Sequence, residues 1–193
     1  MILKMYVTLM PVILAGILNM IFTKTSIYNK LRRPIDGGKK LKDGQDIFGK
    51  NKTWIGFFSM IIFGIISQVI WGYLCGNIAF LQDKNYIYYN TVNTLTNNII
   101  IGAMLGFAYV ICELPNSFIK RRIKITPGKT EKGLIGKLFF VIDQIDSIIG
   151  VTIVLGFWYK MPVYQFFLFI LLGGLTHIVV NLILYTIKIR KNI

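Results

Sequence analysis

The stretch "FFVIDQIDSIIGV", residues 139–151, sets two carboxylates, Asp143 and Asp146, inside a run that otherwise has the composition of a membrane-spanning helix. A helix needs about 20 consecutive, mostly apolar residues to cross a bilayer. Residues 138–158 meet that requirement, and so do runs at roughly 2–22, 54–80, 98–114 and 163–187. The 193-residue chain is 54% hydrophobic with a mean hydropathy of +0.61, outside the range of soluble globular domains. The sequence therefore predicts an all-α integral membrane protein, one polytopic domain over 1–193 with about five transmembrane helices. The third run is the shortest, because its purely apolar part, 99–112, is completed only by the polar ends Asn97, Asn98 and Glu113.

The basic residues give an expected orientation, since Lys and Arg are retained on the cytoplasmic side. Segment 23–53 holds nine of them, segment 113–137 holds seven and the tail holds three, so 19 of the 22 fall on one side. Lys4, Lys84 and Lys160 are left for the other. Such segregation fits five helices and no even number, with the N-terminus outside, the C-terminus cytoplasmic, two basic cytoplasmic loops and a multi-pass place in the cell membrane. The first run reads as a span and not as a cleaved signal peptide, because Lys4 is a lone charge and no small-x-small cleavage site follows. Cys75 and Cys112 fall in different helices outside any CxxC pair and are expected as buried thiols. No nucleic-acid partner is expected, and the sequence sets no oligomeric state.

The outer segments, 82–97 and 159–162, are Asn and Tyr rich or very short, so the information lies in the two basic loops. The first contains "RRPIDGGKKLKDGQDIFGKNKTWIG", dense in turn-formers and leading straight into the second helix at Trp54. In the second, "CELPNSFIKRRIKITPGKTEKGLIGK", Pro115 is expected to end the third helix, and Thr126, Pro127 and Gly128 to make a turn before the fourth. Topogenic charge explains the lysines but not the glycines or Asp36, Asp43 and Asp46. Glycine-rich backbone beside Lys and Thr, as at 49–53, can approach a phosphate closely, although no Walker A motif is present. The GxxxG pairs Gly72/Gly76 and Gly102/Gly106 are expected to let helices pack closely. His177, Asn181 and Asn19 are expected to form interhelical hydrogen bonds.

Asp143 and Asp146 are three residues apart and project from one helix face. Counted from Leu138 at about 1.5 Å per residue, they lie roughly 8 and 12 Å inside the helix. Bare carboxylates there are costly and repel each other, so a cation must compensate them. Helix four carries no Lys or Arg between Lys137 and Lys160, and three partners are open: Mg²⁺ accompanied by substrate phosphates, a salt bridge to the loops, or a transported proton or Na⁺. Glu113 offers a third carboxylate, with Ser117, Lys120 and Arg121 following closely. Carboxylates holding Mg²⁺ beside Lys, Arg and Ser donors suit transfer at phosphorus, which needs no general base when the nucleophile is a phosphate oxyanion.

Three motifs, "SFIKRR" (117–122), the PG turn (127–128) and "DQIDS" (143–147), resemble the signature of CTP-dependent phospholipid cytidylyltransferases. With "NKTWIG" (51–56), "PIDGG" (34–38), "DGQDIFG" (43–49) and Asn19, the chain is most similar to the CDP-archaeol synthase family, relatives of the CDP-diacylglycerol synthases. The resemblance implies that a membrane lipid phosphate attacks the α-phosphorus of CTP, with Mg²⁺ present, to give a CDP-lipid and pyrophosphate. It implies metal-binding carboxylates at Asp143 and Asp146, joined by Glu113 where the family has Asp. Lys120, Arg121 and Arg122 would hold phosphates and Ser117 would donate a hydrogen bond. Lys52 and Thr53 would bind nucleotide or lipid phosphate, and Asn19 and Asp36 would line a polar cavity. A CDP-alcohol phosphotransferase is a poor match, because Ser147 and Ile148 follow the Asp pair where that D-x-x-D-G pattern needs Gly first.

Overall fold

The computed structural model describes residues 1–128 and 133–188. The elements in chain order are α1 (Ile2–Phe22), α2 (Ser26–Leu31), α3 (Trp54–Asn77), α4 (Ala79–Asp83), a short 3₁₀ turn (Tyr86–Tyr89), α5 (Leu95–Arg122), α6 (Gly133–Tyr159) and α7 (Val163–Thr186). Helices α1, α3, α5, α6 and α7 are long and apolar enough to cross a membrane, as the sequence predicts. Among the described residues there is no strand, only two isolated bridges, Pro34 to Thr53 and Lys40 to Asp46, which pin the first basic loop. Of the basic residues counted above, Lys129, Lys132, Arg190 and Lys191 lie outside the described residues.

Two boundaries differ from expectation, and both bear on the site. Helix α5 does not stop at Pro115 but runs on to Arg122. Proline removes one backbone donor, yet the residues after it are bound to their surroundings: Asn116 and Lys120 to α6, and Arg122 to the first loop. The SFIKRR segment is therefore helical. Helix α6 is formed from Gly133, earlier than position 138. At about 1.5 Å per residue, the Asp pair lies roughly 15 and 20 Å from that helix start.

Without a hydrophobic driving force between helices in lipid, close approach of backbones supplies the contact. Helices α3 and α5 touch through Gly64, Gly102 and Gly106: a Cβ at Gly102 would lie 2.6 Å from the Gly64 carbonyl oxygen, and one at Gly106 2.7 Å from that of Met60. The same device joins α6 to α5, where a Cβ at Gly150 would sit 2.4 Å from the Ala108 oxygen. The Gly102/Gly106 pair thus packs as expected. Gly72 instead makes room for the Asn98 side chain, and Gly76 meets only Asn93 Nδ2 at 3.6 Å. Gly106→Ala should cost about 1–3 kcal/mol by overpacking, while Gly76→Ala should be neutral or slightly stabilising through helix propensity. Thermal melting in detergent would separate the two.

The end of the bundle remote from the basic loops is filled. Met5, Leu9, Ile101, Leu105, Val151, Leu155 and Phe169 form a buried cluster. Tyr86 stacks on Tyr159 with ring centroids 4.8 Å apart. Nearby, Asn98 Oδ1 accepts from Gln68 and from the Tyr88 hydroxyl at 3.0 and 2.7 Å. Helix α1 is fully part of the bundle: Trp71 Nε1 donates to the Val7 carbonyl and Thr8 Oγ1 accepts from the Tyr86 amide. Both cysteines are free thiols; Cys75 is buried as expected, whereas Cys112 is only half-buried.

Candidate active site

The first basic loop is shaped by side chains that the sequence suggested for binding. Asp36 is buried and accepts from the backbone N–H groups of Phe48 and Gly49 at 2.9 Å each and of Gly38 at 3.0 Å. It does not line the cavity described below, because its oxygens are spent on its own loop. Burial disfavours its charge, but these N–H groups outweigh that and hold its pKa below the ordinary carboxylate value. A depressed folded pKa means the stabilisation is complete above about pH 4, the ordinary value, and is lost as pH falls through the folded one. Asp36→Asn should therefore speed hydrogen exchange at the Phe48 and Gly49 amides at neutral pH, and acidification of the wild type through the folded pKa should lower the protection factors of the same amides relative to their intrinsic rates.

Thr53 and Arg122 likewise act on the scaffold and do not line the cavity. Thr53 caps α3 by accepting from the Gly56 amide at 3.2 Å and shares a 2.9 Å hydrogen bond with the Tyr28 hydroxyl. Arg122 is drawn to the loop by Asp43 and the Asp46 carbonyl, and its guanidinium lies 5.1 Å from the Phe118 ring centroid. Gly49, at φ +90°, lets the loop press on α5: a Cβ there would meet Pro127 at 2.8 Å and Arg121 at 3.4 Å. This carries Phe48, Asn51 and Lys52 to the helix ends.

A cavity of about 480 Å³ opens at that end among α1, α5, α6, α7 and the loop. Asn19, Lys52, Glu113, Ser117, Lys120, Arg121, Asp143 and Asp146 all line it, so the structure brings together eight of the eleven residues singled out from the sequence. The helical continuation of α5 explains this, since positions 113, 117, 120 and 121 share one face only if the helix passes Pro115. Asn19 accepts a 2.6 Å hydrogen bond from Ser59 of α3, combining an interhelical bond with a place in the cavity wall.

The charges are arranged in pairs. Lys120 Nζ donates to both oxygens of Asp143, so the counter-charge missing from α6 comes from α5. Lys52 pairs with Glu113. Burial lowers the Lys52 pKa, but Glu113, with Asp146 and Asp143 behind it, raises it above the ordinary lysine value, so Lys52 is an ammonium. Arg121 is buried, and its Nε and Nη1 make no hydrogen bond.

Sequence reasoning missed Asn116, which is 7% exposed. Its Nδ2 donates at 2.7 Å to Asp143 Oδ1 and at 2.7 Å to Asp146 Oδ2. One oxygen of each carboxylate therefore converges on a single point, as a hard divalent cation with oxygen ligands requires. Among the described residues, no group of three or more His, Cys, Asp or Glu side chains is placed to hold a metal ion, and Glu113 is paired with Lys52. Two carboxylates nonetheless suffice for Mg²⁺, which keeps waters and substrate phosphates as its other ligands. On the α7 side, His177 Nδ1 lies 3.3 Å from the Gln144 carbonyl oxygen, and Asn181 donates to Gln144 Oε1 at 3.0 Å. These are the expected interhelical contacts, and His177 also lines the cavity. An apolar groove of about 50 Å³ between α1 and α7 adjoins it, sharing Gly16, Met20, Tyr109 and His177.

A family model described as CarS-like, CDP-archaeol synthase, matches residues 1–193. The chain belongs to the CDP-archaeol synthase family. Similar proteins include the CDP-archaeol synthases of Thermococcus gammatolerans, 33% identical over 58% of each chain, and of Thermofilum pendens, 27% identical over 81% of this chain and 64% of that one. The match therefore spans less than two thirds of either of these relatives. The CDP-archaeol synthase of Methanococcus maripaludis is 29% identical over 82% of both chains. A solved structure of an intramembrane enzyme for archaeal membrane lipid biosynthesis shares the fold, with a TM-score of 0.65 and 20% identity over 94% of this chain and 95% of that one.

Proposed function

We propose that this member of the CDP-archaeol synthase family is a CTP:lipid-phosphate cytidylyltransferase. A phosphate oxygen of the lipid attacks the α-phosphorus of CTP. The bond from that phosphorus to the bridging oxygen breaks, its electron pair leaves with pyrophosphate, and a CDP-lipid is formed. The observation that carries the reading is the polar cavity with its converging carboxylates and its Lys and Arg side chains, adjoined by an apolar groove between long apolar helices. A phosphate in the cavity with its hydrocarbon in the groove suits a lipid phosphate.

Asp143 and Asp146 hold Mg²⁺ in this reading, with Glu113 adding negative charge beside them. Such an ion would supply positive charge to offset the charge developing on the phosphates. Lys120 and Lys52 leave their carboxylates to neutralise phosphate oxygens, Arg121 receives a phosphate on its unpartnered N–H groups, and Ser117 donates to the same anion. The cavity end faces the cytoplasm, the source of CTP, because the basic segments gather there, and the protein sits in the cell membrane with its N-terminus outside. Purified protein with Mg²⁺ and CTP should release pyrophosphate when given a lipid phosphate, tested across ether-linked and ester-linked species. Failure with both, together with no detectable binding of radiolabelled CTP, would remove the enzyme reading.

A further inference from the structure

Three observations converge on Asn116. Its Nδ2 is the point where Asp143 Oδ1 and Asp146 Oδ2 meet, at 2.7 Å from each. Its Oδ1 is buried and accepts no hydrogen bond, a state that native structures rarely carry without a reason. Asp146, finally, forms no ion pair among the described residues: its contacts are the Asn116 amide and the backbone N–H of Ser147 at 2.7 Å. Asp143 has Lys120 and Glu113 has Lys52, so the carboxylate without an ion pair and the orphaned carbonyl oxygen stand side by side.

We propose that Asn116 is a ligand-bearing residue of the cation site, its amide holding the place of a divalent ion between Asp143 and Asp146 and supplying Oδ1 when that ion binds. This rests on the reading of the Asp pair as a cation site. Turning a carboxamide by half a turn exchanges oxygen and nitrogen with almost no change of shape. The same side chain can therefore donate to two carboxylates without the ion and coordinate it afterwards, since amide carbonyls are good ligands for hard cations. Asn116 thereby takes the third position that charge pattern alone gives to Glu113.

The test is Mn²⁺ titration followed by electron paramagnetic resonance, on purified protein without nucleotide. Wild type should bind Mn²⁺, and Asn116→Ala should bind it about 10-fold or more weakly, the lower end of effects seen when the surroundings of a metal are altered. Asn116→Ala decides between roles, because a residue that only donates to the two carboxylates competes with the ion, and its removal would leave Mn²⁺ binding unchanged or tighter. Asn116→Asp keeps an oxygen and adds charge, so it should bind Mn²⁺ at least as tightly as wild type. Wild-type or tighter affinity in Asn116→Ala, or weaker binding by Asn116→Asp, overturns the proposal. No Mn²⁺ binding by the wild type overturns instead the reading of the Asp pair. Circular dichroism melting monitors folding, and if Asn116→Ala unfolds, Asn116→Asp purified with Mn²⁺ and then stripped carries the test.

Discussion

Asp143→Asn is expected to abolish pyrophosphate release from CTP and a lipid phosphate, a fall of roughly 10³-fold or more, equivalent to about 4 kcal/mol of transition-state stabilisation. The substitution keeps the shape and the oxygen that faces Asn116 but removes the charge that a metal requires. It also strips Lys120 of its partner, leaving an ammonium in a half-buried cavity. Stability and activity must therefore be read separately. A double substitution, Asp143→Asn with Lys120→Met, should recover much of the lost stability because no unpaired charge remains, and should recover no activity. More than a tenth of wild-type turnover in the single variant would remove Asp143 from the reaction.

Arg121→Leu should act in the reverse sense on the two properties. A buried guanidinium whose Nε and Nη1 lack partners costs stability in the ligand-free protein. Replacing it with an apolar side chain should leave the melting temperature unchanged or raise it. Binding of CTP, measured by calorimetry, should weaken by about 100-fold, because a charge-assisted pair of hydrogen bonds to phosphate is lost. Arg121→Lys should rescue little, since a single ammonium cannot reproduce the planar fork. A variant that melts lower and binds CTP normally would make Arg121 a structural residue.

The membrane architecture was legible because length and hydropathy alone identify a spanning helix, and all five predicted runs contain one. The carboxylate pair was legible for a related reason: charge is so costly at that depth that two Asp residues stand out. Asn116 was hidden by the rule that proline ends helices. With Pro115 as a terminator, residues 116–122 become loop and the stripe formed by positions 113, 116, 117, 120 and 121 disappears. Allowing α5 to continue restores that face and would have placed Asn116 beside the Asp pair. Asp36, Thr53 and Arg122 show another limit. Their motif context pointed to binding, but residue type does not reveal whether a donor or acceptor is already engaged by the scaffold around it. Here Asp36 is spent on three backbone amides, and Arg122 on Asp43 and a carbonyl.

The filled end of the bundle has a consequence for the membrane as an electrical insulator. The cavity lies at the basic-loop end, and beyond Gly16 on α1, Tyr109 on α5 and Asp146 on α6 the chain offers Leu9, Leu105, Val151 and Phe169. Among the described residues, buried polar side chains in that half such as Thr8, Gln68 and Asn98 are engaged in hydrogen bonds within it. A highly charged nucleotide and its counter-ions could thus be drawn well below the bilayer surface while the barrier to protons and ions stays whole.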